Sequence, residues 1–274
     1  MTITVTPLSG ALGAEIGNVD VSADLDDGTI ADIRQALLEH QVIFFRDQGL
    51  DMDRHRAFTL RFGDLFIHPN FQLGQENSEF VMVRRQPGDK RIIGEDWHTD
   101  TTMIPTPPMG AILYAIAVPD VGGDTLFANQ YLAYEALSDG MKDMLGGLQA
   151  VHNDSRVAGP GNNLNAQRAS QVREDANWQP TENKHPVVRT HPETGRKCLF
   201  VNRVYVHHFH GQTVAESQPL LDFLYAQAIR PEFTCRFRWR PGSIAFWDNR
   251  CTQHIAVNDV HDQVRSMRRT QIAG

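Results

Sequence analysis

The sequence predicts a mainly-β domain with flanking helices (α+β), a β-sandwich or jelly roll, and three observations carry that expectation. Phe233, Cys235, Phe237 and Trp239 alternate with Thr234, Arg236, Arg238 and Arg240, the period of two expected of a half-buried strand. Short β-branched or aromatic runs recur at 41–45, 80–83, 111–118, 198–201 and 244–247, with turn residues between them. These runs lie too close together for regular βαβ crossovers, so a largely antiparallel arrangement is expected.

The elements follow in chain order. Ile30, Ile33, Leu37 and Leu38 fall at helical spacing after the acidic stretch Asp24 to Asp27, whose charge suits a helix N-terminus. That helix runs into Gln41-Val42-Ile43-Phe44-Phe45, a buried strand ended by Arg46-Asp47, and a second short helix follows at about Met52 to Phe62. Thr213 with Glu216 makes a capping box, and Leu220, Leu221, Leu224 and Ala228 continue the helix until Pro231 stops it. Pro241-Gly242 then supplies a turn, which predicts that the alternating strand 233–239 pairs antiparallel with Ile244 to Trp247. Residues 153–184, with Gly159-Pro160-Gly161-Asn162-Asn163, have little periodicity for their length, and this stretch is read as a lid or insert over a site.

The 274 residues contain no repeat, low-complexity tract or Ser/Gly linker, so one domain spanning 1–274 is expected. A net charge of −7 gives no basic field for a phosphate backbone, which argues against nucleic acid as a partner. Cys198, Cys235 and Cys251 form no CxxC pair, which disfavours a disulfide framework or zinc knuckle and fits a reducing cytoplasm. The N-terminus lacks a basic-then-apolar leader, and the best apolar run, Ala111 to Val118, is far short of a bilayer span. A cytoplasmic location with no membrane contact is the expectation.

Among twelve histidines, His40, His55, His185 and His191 have positions that helix ends, helix faces and strand edges explain. His98-Thr99-Asp100 differs, because one intervening residue on an extended segment puts imidazole and carboxylate on one face. His254 follows far downstream, just beyond the predicted hairpin. Two histidines and one carboxylate make a facial triad, which leaves positions on a non-haem Fe(II) ion for a bidentate cosubstrate and dioxygen. A bound 2-oxo acid would need an anion clamp. Arg265 and Arg269 share a face of the run Val264 to Thr270 and could hold two anionic groups in one pocket.

Together, Trp97-His98-Thr99-Asp100, Gly122-Gly123-Asp124-Thr125-Leu126-Phe127, Val187 to Pro192, Trp247-Asp248-Asn249-Arg250 with His254, and Arg265 to Thr270 resemble the TauD/TfdA family of Fe(II)- and 2-oxoglutarate-dependent dioxygenases. The resemblance covers essentially the whole chain from Pro7. It implies a cupin-like double-stranded β-helix with His98, Asp100 and His254 as iron ligands. It also implies that Arg265 and Thr125 bind the distal carboxylate of 2-oxoglutarate and that Arg269 meets the substrate's anionic head. The implied reaction consumes 2-oxoglutarate and O2, releases succinate and CO2, and hydroxylates a substrate carbon. If that carbon sits beside sulfur, oxygen or nitrogen, the alcohol collapses with loss of sulfite or a phenol. Similar proteins commonly associate into dimers or tetramers, so a homo-oligomer is expected, although no heptad or apolar stripe points to an interface.

Substrate is where the sequence departs from the taurine-cleaving members. His68 matches a substrate-contacting histidine, but a neighbouring tyrosine position is Phe71, an asparagine position is Gly94, and a Ser-Phe pair is replaced near Val157-Ala158. Each hydrogen-bonding group lost would cost such a substrate about 1–3 kcal/mol. Ile92 to Asp96, Ser155-Arg156-Val157 and Val204-Tyr205 instead resemble the branch that cleaves aryloxypropionates. A small anionic substrate of aryloxyalkanoate, alkyl sulfate or sulfonate type is expected, its pocket involving Arg269, His68, Phe71, Gly94 and Tyr205. The alternatives are a taurine-cleaving enzyme proper, a biosynthetic oxidase of the same family performing desaturation or cyclisation, and a non-catalytic cupin-like binding protein. His207-His208-Phe209-His210 could line the pocket or form a surface turn.

Overall fold

The computed structural model describes residues 2–71, 76–172, 177–260 and 262–274. The chain opens with β1 (Thr4–Pro7) and β2 (Ala14–Gly17), then α1 (Asp27–His40), β3 (Val42–Phe45) and α2 (Met52–Leu60). Next come β4 (Val81–Arg85), β5 (Gly110–Ala117), β6 (Thr125–Asn129), α3 (Gln130–Glu135), α4 (Asp139–Leu145) and β7 (Gln149–Asn153). After 154–181, β8 (Glu182–Pro186), β9 (Val188–Thr190), β10 (Lys197–Leu199) and β11 (Val206–Phe209) lead to α5 (Val214–Ala228). The chain finishes with β12 (Thr234–Phe237), β13 (Ile244–Asp248), β14 (Thr252–Ala256) and β15 (Arg265–Ile272).

The three helices expected from the sequence form where it places them, and α3 and α4 are two that it does not predict. Asp26 caps α1 by accepting from the Thr29 amide, and Ile30, Ile33 and Leu37 are buried, with Leu38 half-buried at the edge of the stripe. Gln41, expected in the strand, instead takes a left-handed turn (φ 61°) that ends α1 and re-aims the chain into β3. Thr213 and Glu216 make the reciprocal capping box of α5.

A seven-stranded sheet runs β1-β2-β3-β13-β5-β15-β4, and a three-stranded sheet runs β12-β6-β14. Side chains alternate across the large sheet. Phe44, Leu113, Ala245, Trp247 and Met267 face Phe127, Cys235, Phe237 and Trp239 of the small one. The opposite face, with Ile43, Phe45, Ile112 and Phe246, is covered by Ile33 and Leu37 of α1 and Phe58 of α2. A further core joins α5 to β7 and β11, whose sheet runs β11-β7-β8. This is the jelly roll with flanking helices that the alternation predicts. One pair is parallel: β2 and β3 lie side by side with α1 as their crossover.

The expected hairpin across Pro241-Gly242 is not there. β12 pairs with β6, and β13 pairs with β3 and β5, so the turn carries the chain from one sheet to the other. The reason is burial: β13 is buried at all five positions and hydrogen-bonded on both edges, which leaves no edge for β12. The polar alternate residues of β12 need one face in solvent, which the small sheet provides. Among the described residues, no helix is long and apolar enough to cross a membrane.

Candidate active site

His98 and His254 meet through the backbone first. The His98 amide donates to the His254 carbonyl (3.1 Å) and the His254 amide to the His98 carbonyl (2.8 Å), an isolated antiparallel bridge at the start of the site. Directly opposed residues share a face, so the two imidazole centroids lie 4.2 Å apart. Asp100, two residues on, presents Oδ1 at 3.5 Å from His98 Nε2 and 4.0 Å from His254 Nε2. One donor atom from each residue lies within 4.8 Å of the others, and all three residues are buried. His98 Nδ1 lies 2.8 Å from the Asp96 carbonyl, which places the proton there and leaves the Nε2 lone pair facing Asp100.

The donor set fits a divalent iron. Asp100 Oδ2 is buried without a hydrogen-bond partner among the described residues, a costly state for a carboxylate oxygen that a cation relieves. Burial alone would raise the Asp100 carboxyl, but Arg269, whose Nη1 donates to Oδ1 at 3.0 Å, and the two imidazoles hold it well below the ordinary range. Burial, reinforced by His98, pushes His254 well below its usual range, which keeps the imidazole neutral as ligation requires.

Beside this cluster a narrow cavity of about 30 Å3 is bounded by Thr125, Arg265, Ala256 and both histidines. Arg265 and Arg269 alternate with Ser266 and Arg268 on β15 and so reach the space between the sheets together, as their spacing predicts. Arg265 is fixed by Nε donating to the Gly123 carbonyl (3.2 Å), and burial lowers its guanidinium to about 10, still charged at neutral pH. The residue before Gly123, Gly122, is fixed as glycine by its backbone: φ is 83°, and a Cβ would run into Val260 and Asp259. Thr125 Oγ1 accepts from Trp239 Nε1 (2.9 Å), so its own proton is free to be donated into this cavity.

The larger cavity, about 450 Å3, opens on the other side of Asp100. His68, Phe71, Gly94, Tyr205 and Arg269 all line it, as expected. His68 Nδ1 accepts from the Asn70 amide (3.1 Å), leaving Nε2–H as a donor, and burial with Arg269 nearby lowers the imidazole to about 3. Phe71 packs edge-on against His68 at 4.7 Å. The Tyr205 hydroxyl is raised by burial and hydrogen-bonded to the Thr101 backbone. Gly94 borders both cavities at φ 80°.

Part of the wall was not singled out in the sequence. Leu164, Arg168 and Val172 line it from the 154–181 stretch, and Gln218, Asp222 and Tyr225 do so from one face of α5. Their helical spacing of 218, 222 and 225 is a signal, but on a polar face it reads as solvated surface. Among the described residues of this stretch, several are tied to the rest of the fold. The Gln167 carbonyl accepts from the Lys90 and Arg91 amides, Ser170 Oγ accepts from the Arg84 amide, and the buried Asp154 carboxylate accepts from Asn70 Nδ2 and the Thr181 amide. Of the stretch read as a lid, 173–176 lie outside the described residues. None of His207 to His210 borders either cavity; they belong to β11 and its end.

A second buried cluster, His191, Asp248 and Cys251, is already saturated. His191 Nδ1 accepts from the Glu193 and Thr194 amides while Nε2 faces Asp248 at 3.0 Å, and Arg250 grips both Asp248 oxygens. The acceptor positions of His191 and Asp248 are thus taken by protein donors. His55 is likewise engaged, by Thr270 and Arg268.

Residues 4–271 match the family described as taurine catabolism dioxygenase TauD, TfdA family. An alkylsulfatase of Acinetobacter baylyi is 37% identical over 97% of this chain and 84% of its own length. An (S)-phenoxypropionate/alpha-ketoglutarate dioxygenase of Sphingobium herbicidovorans is 33% identical over 98% of this chain and 94% of its own. The crystal structure of a taurine dioxygenase from Burkholderia xenovorans superposes with a TM-score of 0.83 at 36% identity, covering 100% of this chain and 92% of that one.

Proposed function

Because the chain belongs to the TauD/TfdA family of Fe(II)- and 2-oxoglutarate-dependent dioxygenases, we propose that it oxidises the sulfate monoesters of apolar primary alcohols. His98, Asp100 and His254 would hold the iron, with Arg265 and Thr125 on the distal carboxylate of 2-oxoglutarate. The iron, 2-oxoglutarate and O2 together supply the oxidising power, with succinate and CO2 released.

The observation that carries the substrate reading is the make-up of the larger cavity. Arg269 and a neutral donor, His68 Nε2–H, stand beside Asp100; beyond them Phe71, Ile92, Val157, Leu164, Val172 and Val204 give an apolar lining, to which Arg156, Arg168 and Asp222 add charged groups. A monoanionic head fits the first part and an apolar tail the second. Arg269 is held by Asp100, so it meets the head in a fixed direction and sets the adjacent carbon toward the triad. Removing hydrogen from that carbon and returning hydroxyl gives an α-hydroxy sulfate ester, which breaks its C–O bond to aldehyde and hydrogen sulfate. The wall supplied by Val157, Leu164 and Val172 keeps water away from the reacting carbon.

An aryloxyalkanoate is the second reading, favoured by the aromatic wall of Phe71, Tyr205 and Tyr225 and by the 33% identical relative. Taurine is the third candidate, with no side-chain acceptor for its amine at Phe71 or Gly94. The test is succinate formation by iron-loaded protein across n-alkyl sulfates, both enantiomers of an aryloxypropionate, and taurine. Stimulation greatest with a medium-chain sulfate supports the proposal; a greater response to either of the others replaces it.

A further inference from the structure

The turn that presents Asp100 is held in a shape it would not adopt unaided. Thr101, β-branched and fully buried, has φ 53°, in the left-handed region that such residues avoid. Its hydroxyl has no hydrogen-bond partner among the described residues, so its own side chain does nothing to fix the turn. A strained turn persists only where its surroundings over-determine it.

Besides the Tyr205 hydroxyl on the Thr101 backbone, one side chain holds both sides of the turn. Asn249 Oδ1 accepts from the Asp100 amide at 2.8 Å, and Asn249 Nδ2 donates to the Asp100 carbonyl and to the Pro108 carbonyl, both at 3.0 Å. Both backbone groups of Asp100 are thus gripped by one planar amide. Asn249 is 1% exposed, and its own amide donates to the Met109 carbonyl (2.9 Å). It directly follows β13, five residues before His254, and so ties the Asp100 turn to the strands that carry the third member of the triad. Asp248 and Arg250 on either side are locked to each other and to His191, so the clamp stands on a rigid base.

We propose that Asn249 is the positioning residue for the metal ligand Asp100: it holds the strained 100–101 turn so that the carboxylate faces His98 and His254. The inference rests on the reading of Asp100 as a metal ligand. Neither a carboxylate nor an apolar side chain can reproduce the clamp. Aspartate keeps the acceptor for the Asp100 amide but sets an oxygen against two carbonyls, and alanine removes all three bonds.

The test is metal affinity measured apart from turnover. Anaerobic titration with Co(II) as an optical probe, and with Fe(II), gives a dissociation constant and a spectrum for wild type, Asn249→Ala, Asn249→Asp and a control, Asn129→Ala. Asn129 is about as buried as Asn249 (2% exposed), and its side chain bonds Ala11, Gln41 and the first amides of α3 and none of the triad's backbone, so its loss reports stability. The expected result is a ~10–100-fold weaker dissociation constant and an altered Co(II) spectrum for Asn249→Ala, with a smaller loss for Asn249→Asp. Asn129→Ala should melt earlier yet bind metal as wild type does. If Asn249→Ala does not fold, Asn249→Asp carries the comparison. Wild-type affinity and spectrum in an Asn249 variant that merely melts earlier would overturn the proposal. Failure of wild type to bind either ion in a His98-dependent way would overturn the metal-site reading itself.

Discussion

Replacing Gly94 by alanine perturbs backbone and iron site at once, and the two effects can be computed separately from the structure. Gly94 sits at φ 80°, where an L side chain costs about 1–2 kcal/mol. At about 2–4 °C per kcal/mol for a chain of this size, the melting temperature should fall by ~2–8 °C. The new Cβ would lie 3.1 Å from His98 Cε1 and 3.7 Å from Nε2, so the ring must give by a few tenths of an ångström. It cannot give freely, because Nδ1 is fastened to the Asp96 carbonyl at 2.8 Å and the His98 backbone to His254. A shifted ligand should weaken metal binding by about tenfold, the low end for disturbing a ligand's support. Asparagine tolerates the left-handed region better than alanine. Gly94→Asn should therefore melt higher than Gly94→Ala while filling more of the larger cavity, raising the KM for long-tailed substrates further. Differential scanning fluorimetry and anaerobic Co(II) titration read the two effects. An alanine variant with unchanged melting temperature would refute the backbone argument, and one with unchanged metal affinity would refute the contact with His98.

Arg265→Ala removes a charge-assisted contact worth about 1.5–3 kcal/mol, so the KM for 2-oxoglutarate in a succinate assay should rise by roughly 10–150-fold. A rise under threefold would remove Arg265 from the cosubstrate site. Arg269→Ala should abolish stimulation by substrate while leaving slow substrate-independent consumption of 2-oxoglutarate, and retention of that stimulation would mean the anionic head binds elsewhere. Burial pushes Asp248 up, but hydrogen bonds from Arg250 and His191 outweigh it and set its folded value below the ordinary one. Its stabilisation is therefore full above the unfolded value, near pH ~4, and is lost as pH falls through the lower folded value. Asp248→Asn, which leaves Arg250 without its buried partner, should cost about 3–5 kcal/mol at neutral pH and flatten that acid limb in denaturant titrations. A neutral effect would show that Glu193, which also pairs with Arg250 at 2.7 Å, suffices.

The triad was legible because its chemistry is short-range in sequence at one end: a one-residue gap on an extended segment places His98 and Asp100 on one face whatever the rest of the chain does. Arg265 and Arg269 were legible for the same reason, since period two survives any sheet order. Pairing was not. Alternation in 233–240 tells which face is buried and not which strand lies alongside, so the Pro-Gly turn read as a hairpin proved to be a crossing between sheets. β6 and β14, five residues each with mixed polarity, left no clear pattern, although β14 carries His254. The Asn249 clamp spans 149 residues, and the α5 wall of the cavity uses a polar face that looks solvated. Both depend on tertiary packing that no local pattern encodes.

The most direct test of the central claim is oxygen accounting with a medium-chain alkyl sulfate under 18O2. The account predicts succinate carrying one 18O atom, formed in step with sulfate and aldehyde, dependent on added Fe(II) and lost in His98→Ala. Sulfate released as the intact alcohol is cleaved by water, with 2-oxoglutarate unconsumed, would contradict it.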